Sequence, residues 1–264
     1  MSAPAPERTP AGAARGAARG AASEAASSAG PDAGADAALE HPTFARLARA
    51  LAAAPGRAAT IPPEAATPRR AAVALVLRPG DAGAPELLFV RRAEYPGDPW
   101  SGHVAFPGGR HEPGDATPWD TAARETHEET GLDLRRAGRL LGTLDELHPR
   151  TPMLPSIVVR PHVVVVGAPT PVLTLSDELQ TAFWVPLSWF AEPGAATTAR
   201  VAARGATLTV PCYVHEGHTI WGMTERILQQ LLARVGDRVG DRVGDRVGDR
   251  VGDRVGGGGA PGAA

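Results

Sequence analysis

Apolar residues recur at helical spacing at Phe44, Leu47, Ala48 and Leu51, which predicts a short amphipathic helix ending before Pro55. A Pro-containing link spans 60–68, and β-rich runs follow at 71–77, 86–91, 103–106, 140–144, 157–166 and 183–185, with a further β-like run at 208–214. Two helices stand among them, near 118–130 and 221–233. The first has both ends specified: Thr117 as N-cap, Pro118 at the first helical position, Asp120 where a capping box wants an acid, and Gly131 as the stop. Trp119, Ala122, Ala123, Thr126 and Thr130 give it a face of mostly small residues that can lie close to a sheet, and Glu125, Glu128 and Glu129 fall on the other side. Strands outnumber helices without regular β-α alternation, so the pattern predicts an α/β protein with a mixed sheet flanked by helices. Between the two ends of the chain there is no G-x-G-x-x-G or G-x-x-x-x-G-K motif to point to a dinucleotide-binding or P-loop fold.

The two ends of the chain read differently. Residues 1–38 are Ala, Gly, Ser, Pro and Arg with few large apolar side chains, too little to offset the entropy of ordering, and are expected to be disordered. Glu7 and Glu24 interrupt that segment, against a transit peptide, and it has no unbroken apolar stretch of the kind a secretory signal needs. Residues 234–264 open with five tandem copies of Arg-Val-Gly-Asp and end Gly-rich, which predicts a flexible low-complexity tail. Between them, 39–69 reads as a short helix and linker, and 70–233 as the main domain.

Composition then excludes several function classes. The chain of 264 residues carries 27 basic side chains, all Arg, against 29 acidic ones, for a net charge of −2. That balance argues against broad electrostatic binding of nucleic acid or an anionic membrane surface. A single cysteine, Cys212, excludes an intrachain disulfide and a multi-thiolate zinc site and fits a reducing cytoplasm. No run of 18 apolar residues is present to span a bilayer.

Chemistry concentrates in 106–132. Glu125, Glu128 and Glu129, at i, i+3 and i+4, gather like charges within one helical turn, where a cation is expected. A solvated acidic face with an Arg124–Glu128 ion pair is one reading of them. A hard divalent cation is the other: Mg²⁺ prefers carboxylate oxygens plus water and can bridge a polyphosphate. Pro107-Gly108-Gly109 just before the helix lets backbone approach such a metal or phosphate without a Cβ in the way.

Arg124-Glu125-Thr126-His127-Glu128-Glu129-Thr130-Gly131-Leu132 resembles the R-E-U-x-E-E-x-G-U core of the Nudix box, U being a bulky aliphatic residue. Thr126 departs from the aliphatic position. Gly109 is followed after five residues by Asp115 and then by eight residues before Arg124, one more than in the general box and with Asp in place of Glu. That extension resembles the branch of the family that hydrolyses coenzyme A. Leu87-Leu88-Phe89-Val90-Arg91-Arg92 and Gly102 through Gly109 look like the two ends of that branch's signature, with the stretch between them two residues longer and no second Arg in place. Phe183-Trp184-Val185-Pro186-Leu187 and Ile220-Trp221-Gly222-Met223-Thr224 are similar to the same branch.

The resemblance covers about 70–233 and implies a Nudix-type α/β/α sandwich. It implies ligation of Mg²⁺ or Mn²⁺ by Glu125, Glu128 and Glu129, with one of them or a loop carboxylate deprotonating water; Glu178 is the candidate loop carboxylate. Arg124 would orient the glutamates, and Arg91, Arg92, Gly108 and Gly109 would meet substrate phosphates, although sequence does not say which of the two arginines faces the site. The implied reaction is cleavage of coenzyme A or an acyl derivative at its diphosphate, leaving adenosine 3′,5′-bisphosphate and phosphopantetheine. Two alternatives stand beside it: another nucleoside diphosphate derivative such as a dinucleotide, ADP-ribose or a nucleotide sugar, and a catalytically silent binding module of the same fold. A nucleoside diphosphate small molecule is therefore the expected partner, and a homodimer is left open. His215-Glu216-Gly217-His218 reads as a surface turn rather than a metal pair, Cys212 as a small buried residue, and Trp100 as either a base-stacking or a loop-anchoring ring.

Overall fold

The computed structural model describes residues 33–62, 67–97, 100–149, 156–203 and 206–236. The central strand β1 (Arg69–Pro79) is apolar over most of its length because both of its faces are covered. Ala71, Leu75 and Leu77 point into one buried cluster, and Ala72, Ala74 and Val76 into another on the opposite face. Around β1 a seven-stranded mixed sheet is assembled from β2 (Pro85–Arg92), β3 (Val104–Ala105), β4 (Gly108–Arg110), β5 (Gly138–Thr143), β6 (Ile157–Val166) and β7 (Leu179–Pro186). β6 runs parallel to β1 and the remaining pairs are antiparallel.

The larger cluster packs α2 (Pro42–Ala53) and α5 (Gly222–Val235) on one face through Phe44, Leu47, Leu51, Leu228, Leu231 and Leu232. α3 (Pro118–Thr130) and the short α4 (Leu134–Ala137) cover the other. The result is an α/β/α sandwich, with a second sheet of β8 (Ala196–Ala203), β9 (Ala206–His215) and β10 (His218–Trp221) adding Tyr213 and Ile220 to the α2/α5 side. On the α3 side, Ala122 and Ala123 meet Ala72 and Ala74, and these small side chains let the helix lie close to the strands.

Several elements depart from the sequence reading. Ala33–Ala38 (α1) is helical, with Ala35 and Ala38 buried, although the segment to residue 38 reads as disordered. Its anchor is steric: any Cβ on Gly167 would overlap the backbone of Gly34, so two glycines allow an alanine-rich turn to touch the end of β6. Within 39–69 the predicted helix is α2, and it supplies core residues to the main domain. α5 continues through Val235 and takes in the first two residues of the repeat, with Arg234 donating to the carbonyl of Ala54. The rest of the tail, and residues 1–32, lie outside the described residues. β8, β10 and α4 have no counterpart in the pattern. β8 is Ala- and Thr-rich and mostly exposed over its described side chains, so it has no buried stripe to read. No helix among the described residues is long and apolar enough to cross a membrane.

His162, on β6, is 4% exposed and faces the Trp119 ring at 5.7 Å. Burial holds its imidazole neutral and lowers its pKa to about 4. The unfolded chain takes up this proton at about pH 6.5, so the stability that neutral His162 permits is complete above that pH and is lost as pH falls toward 4. Chemical denaturation should show a loss of up to about 3 kcal/mol over that window, absent from His162→Gln.

Candidate active site

Site construction begins with the N-cap of α3. Thr117 Oγ1 accepts from Asp120 N at 3.2 Å and Asp120 Oδ2 accepts from Thr117 N at 3.0 Å, a reciprocal box that sets where the helix starts. Gly131 ends it in the left-handed conformation at φ 71°. Thr126 and Thr130 stand where aliphatic residues would pack, and each hydroxyl is satisfied by the carbonyl four residues back, at 2.7 and 2.6 Å.

Arg124 is the hub of the loop before the helix. Its Nε and Nη2 each donate to Asp115 at 3.0 Å, Nη1 donates to Glu128 Oε2 at 3.0 Å, and Nη2 also reaches Glu125 Oε1 at 3.1 Å and the carbonyl of Arg110 at 3.0 Å. Asp115 is nearly buried and also accepts from Thr121 Oγ1 at 2.9 Å and Glu112 N at 3.0 Å. The Arg124 hydrogen bond leads the causes that hold this carboxyl well below the usual carboxylate range. Geometry here explains the departure in spacing: the longer loop brings a shorter acid into a two-pronged grip on the guanidinium.

Glu129 is the most deeply placed carboxylate, 4% exposed. Its burial does not fit the solvated-face reading of the three glutamates. The segment after β6 covers the end of α3, with Thr174 N donating to Thr130 O at 2.8 Å and Ser176 N to Glu129 O at 2.9 Å. Glu129 Oε2 accepts from Gly108 N at 3.0 Å, and Arg92 Nη1 lies 3.8 Å from Oε1. Burial, opposed by that backbone bond and by Arg92, pushes its pKa up to about 7. Glu125 is also raised, first by burial and against the pull of Arg124. The charge of Glu178 adds to the rise at both, so this loop carboxylate belongs to the same electrostatic patch.

Gly108 and Gly109 bring backbone against these groups. Gly108 has φ 141° and sits on β1, and a Cβ on Gly109 would overlap the Glu125 carboxylate. Arg92 points toward Glu129. Arg91, one residue earlier and on the other face of β2, donates instead to the Gly102 carbonyl at 3.3 Å and lies 3.4 Å from Glu94. The structure thus brings Glu125, Glu129, Glu178, Arg92, Gly108 and Gly109 together, holds Glu128 on Arg124, and leaves Arg91 away from the carboxylates. Asp115 was legible only as a motif position, and its grip on Arg124 is the functional contact that spacing alone did not reveal.

The donor set suits a hard divalent cation: every group is a carboxylate oxygen, the charges repel one another, and Gly109 leaves Glu125 uncovered. Among the described residues, no three His, Cys, Asp or Glu side chains stand ready to close round an ion as they lie, with Glu128 turned to Arg124. The other tempting residues have structural settings. His215 and His218 flank a hairpin turn with Glu216 and Gly217 at positive φ, and their rings meet Trp189 at 4.5 Å and Phe183 at 4.1 Å respectively. Cys212 is buried, and the Trp100 carbonyl accepts from His103 N within the loop.

Fold and site together define the class: an α/β/α sandwich with a glutamate-lined, glycine-edged centre. A family model described as the NUDIX domain matches residues 67–204, more than half of the chain. The chain belongs to the Nudix family. It is 31% identical over 152 residues to the uncharacterized Nudix hydrolase NudL of Salmonella newport (strain SL254), covering 58% of this chain and 76% of that protein. An uncharacterized protein of Schizosaccharomyces pombe (strain 972 / ATCC 24843) is 28% identical over 168 residues, covering 56% of this chain, which spans about half (51%) of that relative. Among solved structures, a C. elegans Ap4A hydrolase binary complex is similar at 25% identity and TM-score 0.38, over 46% of this chain and 81% of that one. A MutT/nudix family protein from Enterococcus faecalis is similar at 19% identity and TM-score 0.44, over 67% and 65%.

Two measurements follow from the geometry. Asp115→Asn removes the charge that Arg124 grips and should cost about 2 kcal/mol in urea denaturation. An unchanged midpoint would show that the pair carries no such weight. Glu129 is destabilising when ionised: its folded pKa is raised to about 7, so the penalty is absent below about pH 4.5 and complete above pH 7. Metal-free Glu129→Gln should therefore exceed wild type at pH 8 by up to about 3 kcal/mol, and the gap should close on acidification to pH 5.

Proposed function

We propose that the chain is a divalent-metal-dependent diphosphatase acting on coenzyme A or acyl-coenzyme A. The observation that carries this reading is the convergence of Glu125, Glu129 and Glu178, each near enough to feel another's charge, beside the Gly108 N–H and Arg92. Such a patch is costly for the fold and is explained by a cationic ligand that it awaits.

Glu125, Glu128 and Glu129 would hold Mg²⁺ or Mn²⁺. When bound, the ion offsets the charge of the diphosphate and lowers the pKa of water in its shell. The chain's own residues do the rest. Arg124, anchored by Asp115, orients Glu125 and Glu128. Gly108 N–H fixes one oxygen of Glu129. Arg92, Gly108 and Gly109 face the phosphates, the guanidinium as a charge and the glycines as bare backbone. Glu178, exposed to solvent at the rim, takes the proton of the attacking water as its oxygen bonds to phosphorus and the bridging P–O bond breaks. Adenosine 3′,5′-bisphosphate and phosphopantetheine, or its acyl form, are the products.

Support for the coenzyme A branch comes from segments distant in sequence. Trp221 meets His103 edge-on at 4.8 Å, and Thr224 Oγ1 donates to the Val104 carbonyl at 2.9 Å. The C-terminal stretch that resembles the branch thus touches the strand leading into Phe106-Pro107-Gly108-Gly109, which resembles it too.

Mass-spectrometric product analysis tests the proposal, using the full chain with Mg²⁺ or Mn²⁺ and coenzyme A, acetyl-coenzyme A, ADP-ribose, NADH and nucleoside triphosphates. Release of adenosine 3′,5′-bisphosphate, abolished by EDTA, is expected. Faster cleavage of another member would overturn the substrate, and no turnover of any member would leave a binding module of the same fold.

A further inference from the structure

Residues 93–102, between β2 and β3, form the stretch that is two residues longer than the branch signature. Its described residues, 93–97 and 100–102, close on one another at the base. Arg91 reaches both ends of it, Gly102 through its carbonyl and Glu94 through its carboxylate, and Ser101 Oγ accepts from Tyr95 N at 2.8 Å. From this base the Tyr95 hydroxyl donates to the carbonyl of Asp177 at 2.9 Å. One residue further along, Ala93 N donates to the Glu178 carbonyl at 2.8 Å. On its other side the same turn hangs from the end of α3 through Ser176 N and the Glu129 carbonyl.

The turn that carries Glu178 is therefore suspended between the glutamate helix and the inserted loop. We propose that Tyr95 is a positioning residue that holds the Glu178 turn at the rim of the carboxylate patch. This inference rests on the reading of Glu178 given above. Tyr95 is half exposed, at 48%, and its bond to the Asp177 carbonyl lies at the surface, so the hydroxyl is not needed to satisfy a buried group. Water could replace that hydrogen bond energetically, but a water molecule does not tether one segment to another. What the phenol adds is restraint on a side chain that must meet the reacting water within a few tenths of an ångström.

The experiment is a double-mutant cycle on the full chain with Mg²⁺ and the substrate found by product analysis. Tyr95→Phe should lower kcat about fivefold, the worth of one hydrogen bond, with KM unchanged. Glu178→Gln should lower kcat at least about a hundredfold, as expected for loss of a general base, and adding Tyr95→Phe to it should cost nothing more. Hydrogen exchange on the metal-free chain is the second readout: the amides of Ala93 and Leu179, bonded to the carbonyls of Glu178 and Ser176, should exchange faster in Tyr95→Phe. Wild-type kcat in Tyr95→Phe, or a fivefold loss that persists in the Glu178→Gln background, would overturn the inference and leave the diphosphatase reading standing. Wild-type kcat in Glu178→Gln would overturn it as well, since there would be nothing to position. A wild-type chain that cleaves no member of the panel overturns both.

Discussion

The two-pronged contact between Arg124 and Asp115 is the interaction on which the site depends. Four acidic groups crowd into one helical turn and its flanking loop, and without a fixed cation their repulsion would oppose that arrangement. A guanidinium can donate along several directions at once, so one side chain ties the loop to the helix while it orders Glu125 and Glu128. A lysine, with a single ammonium head, could not span the same set. The pair is costly to bury only to a modest extent because Oδ1 of Asp115 is taken by Arg124 Nε and Oδ2 accepts from Glu112 N and Thr121 Oγ1 as well as from Arg124, so little polar capacity is buried unused.

The rest of the fold serves to present that turn. Alanines on β1 and α3 let helix and sheet lie close, and the reciprocal N-cap and the left-handed Gly131 set the helix in register. Gly108 then brings a backbone N–H to Glu129, where a residue with a Cβ would strike β1. A carboxylate held this way is raised toward neutrality by burial, so the centre is maintained against the stability of the empty protein. Packing elsewhere, in the large cluster around α2 and α5, supplies the compensation.

Adjacent arginines on β2 divide their work by the alternation of a strand. Arg92 falls on the α3 side beside Glu129, and Arg91 falls on the opposite side beneath the inserted loop. The motif position that matches the family branch is Arg91, yet the carboxylates face Arg92. A one-residue difference thus separates a group that meets the carboxylates from one that braces a loop.

Much of this protein was legible in the chain alone because it is local. Helix α3 and its caps, the main strands and the three spaced glutamates follow from propensity, periodicity and the reach of side chains three and four residues apart. α1 and β8 were not legible, since their residues are mostly small or polar and carry no apolar period, and β10 at four residues is too short to show one; α1 is held by a glycine contact across the chain. The burial of Glu129, the choice between Arg91 and Arg92, and the approach of Glu178 to the helix needed the tertiary structure. Each depends on which distant segment covers a side chain, and helical or strand spacing fixes only the direction in which that side chain leaves its own backbone.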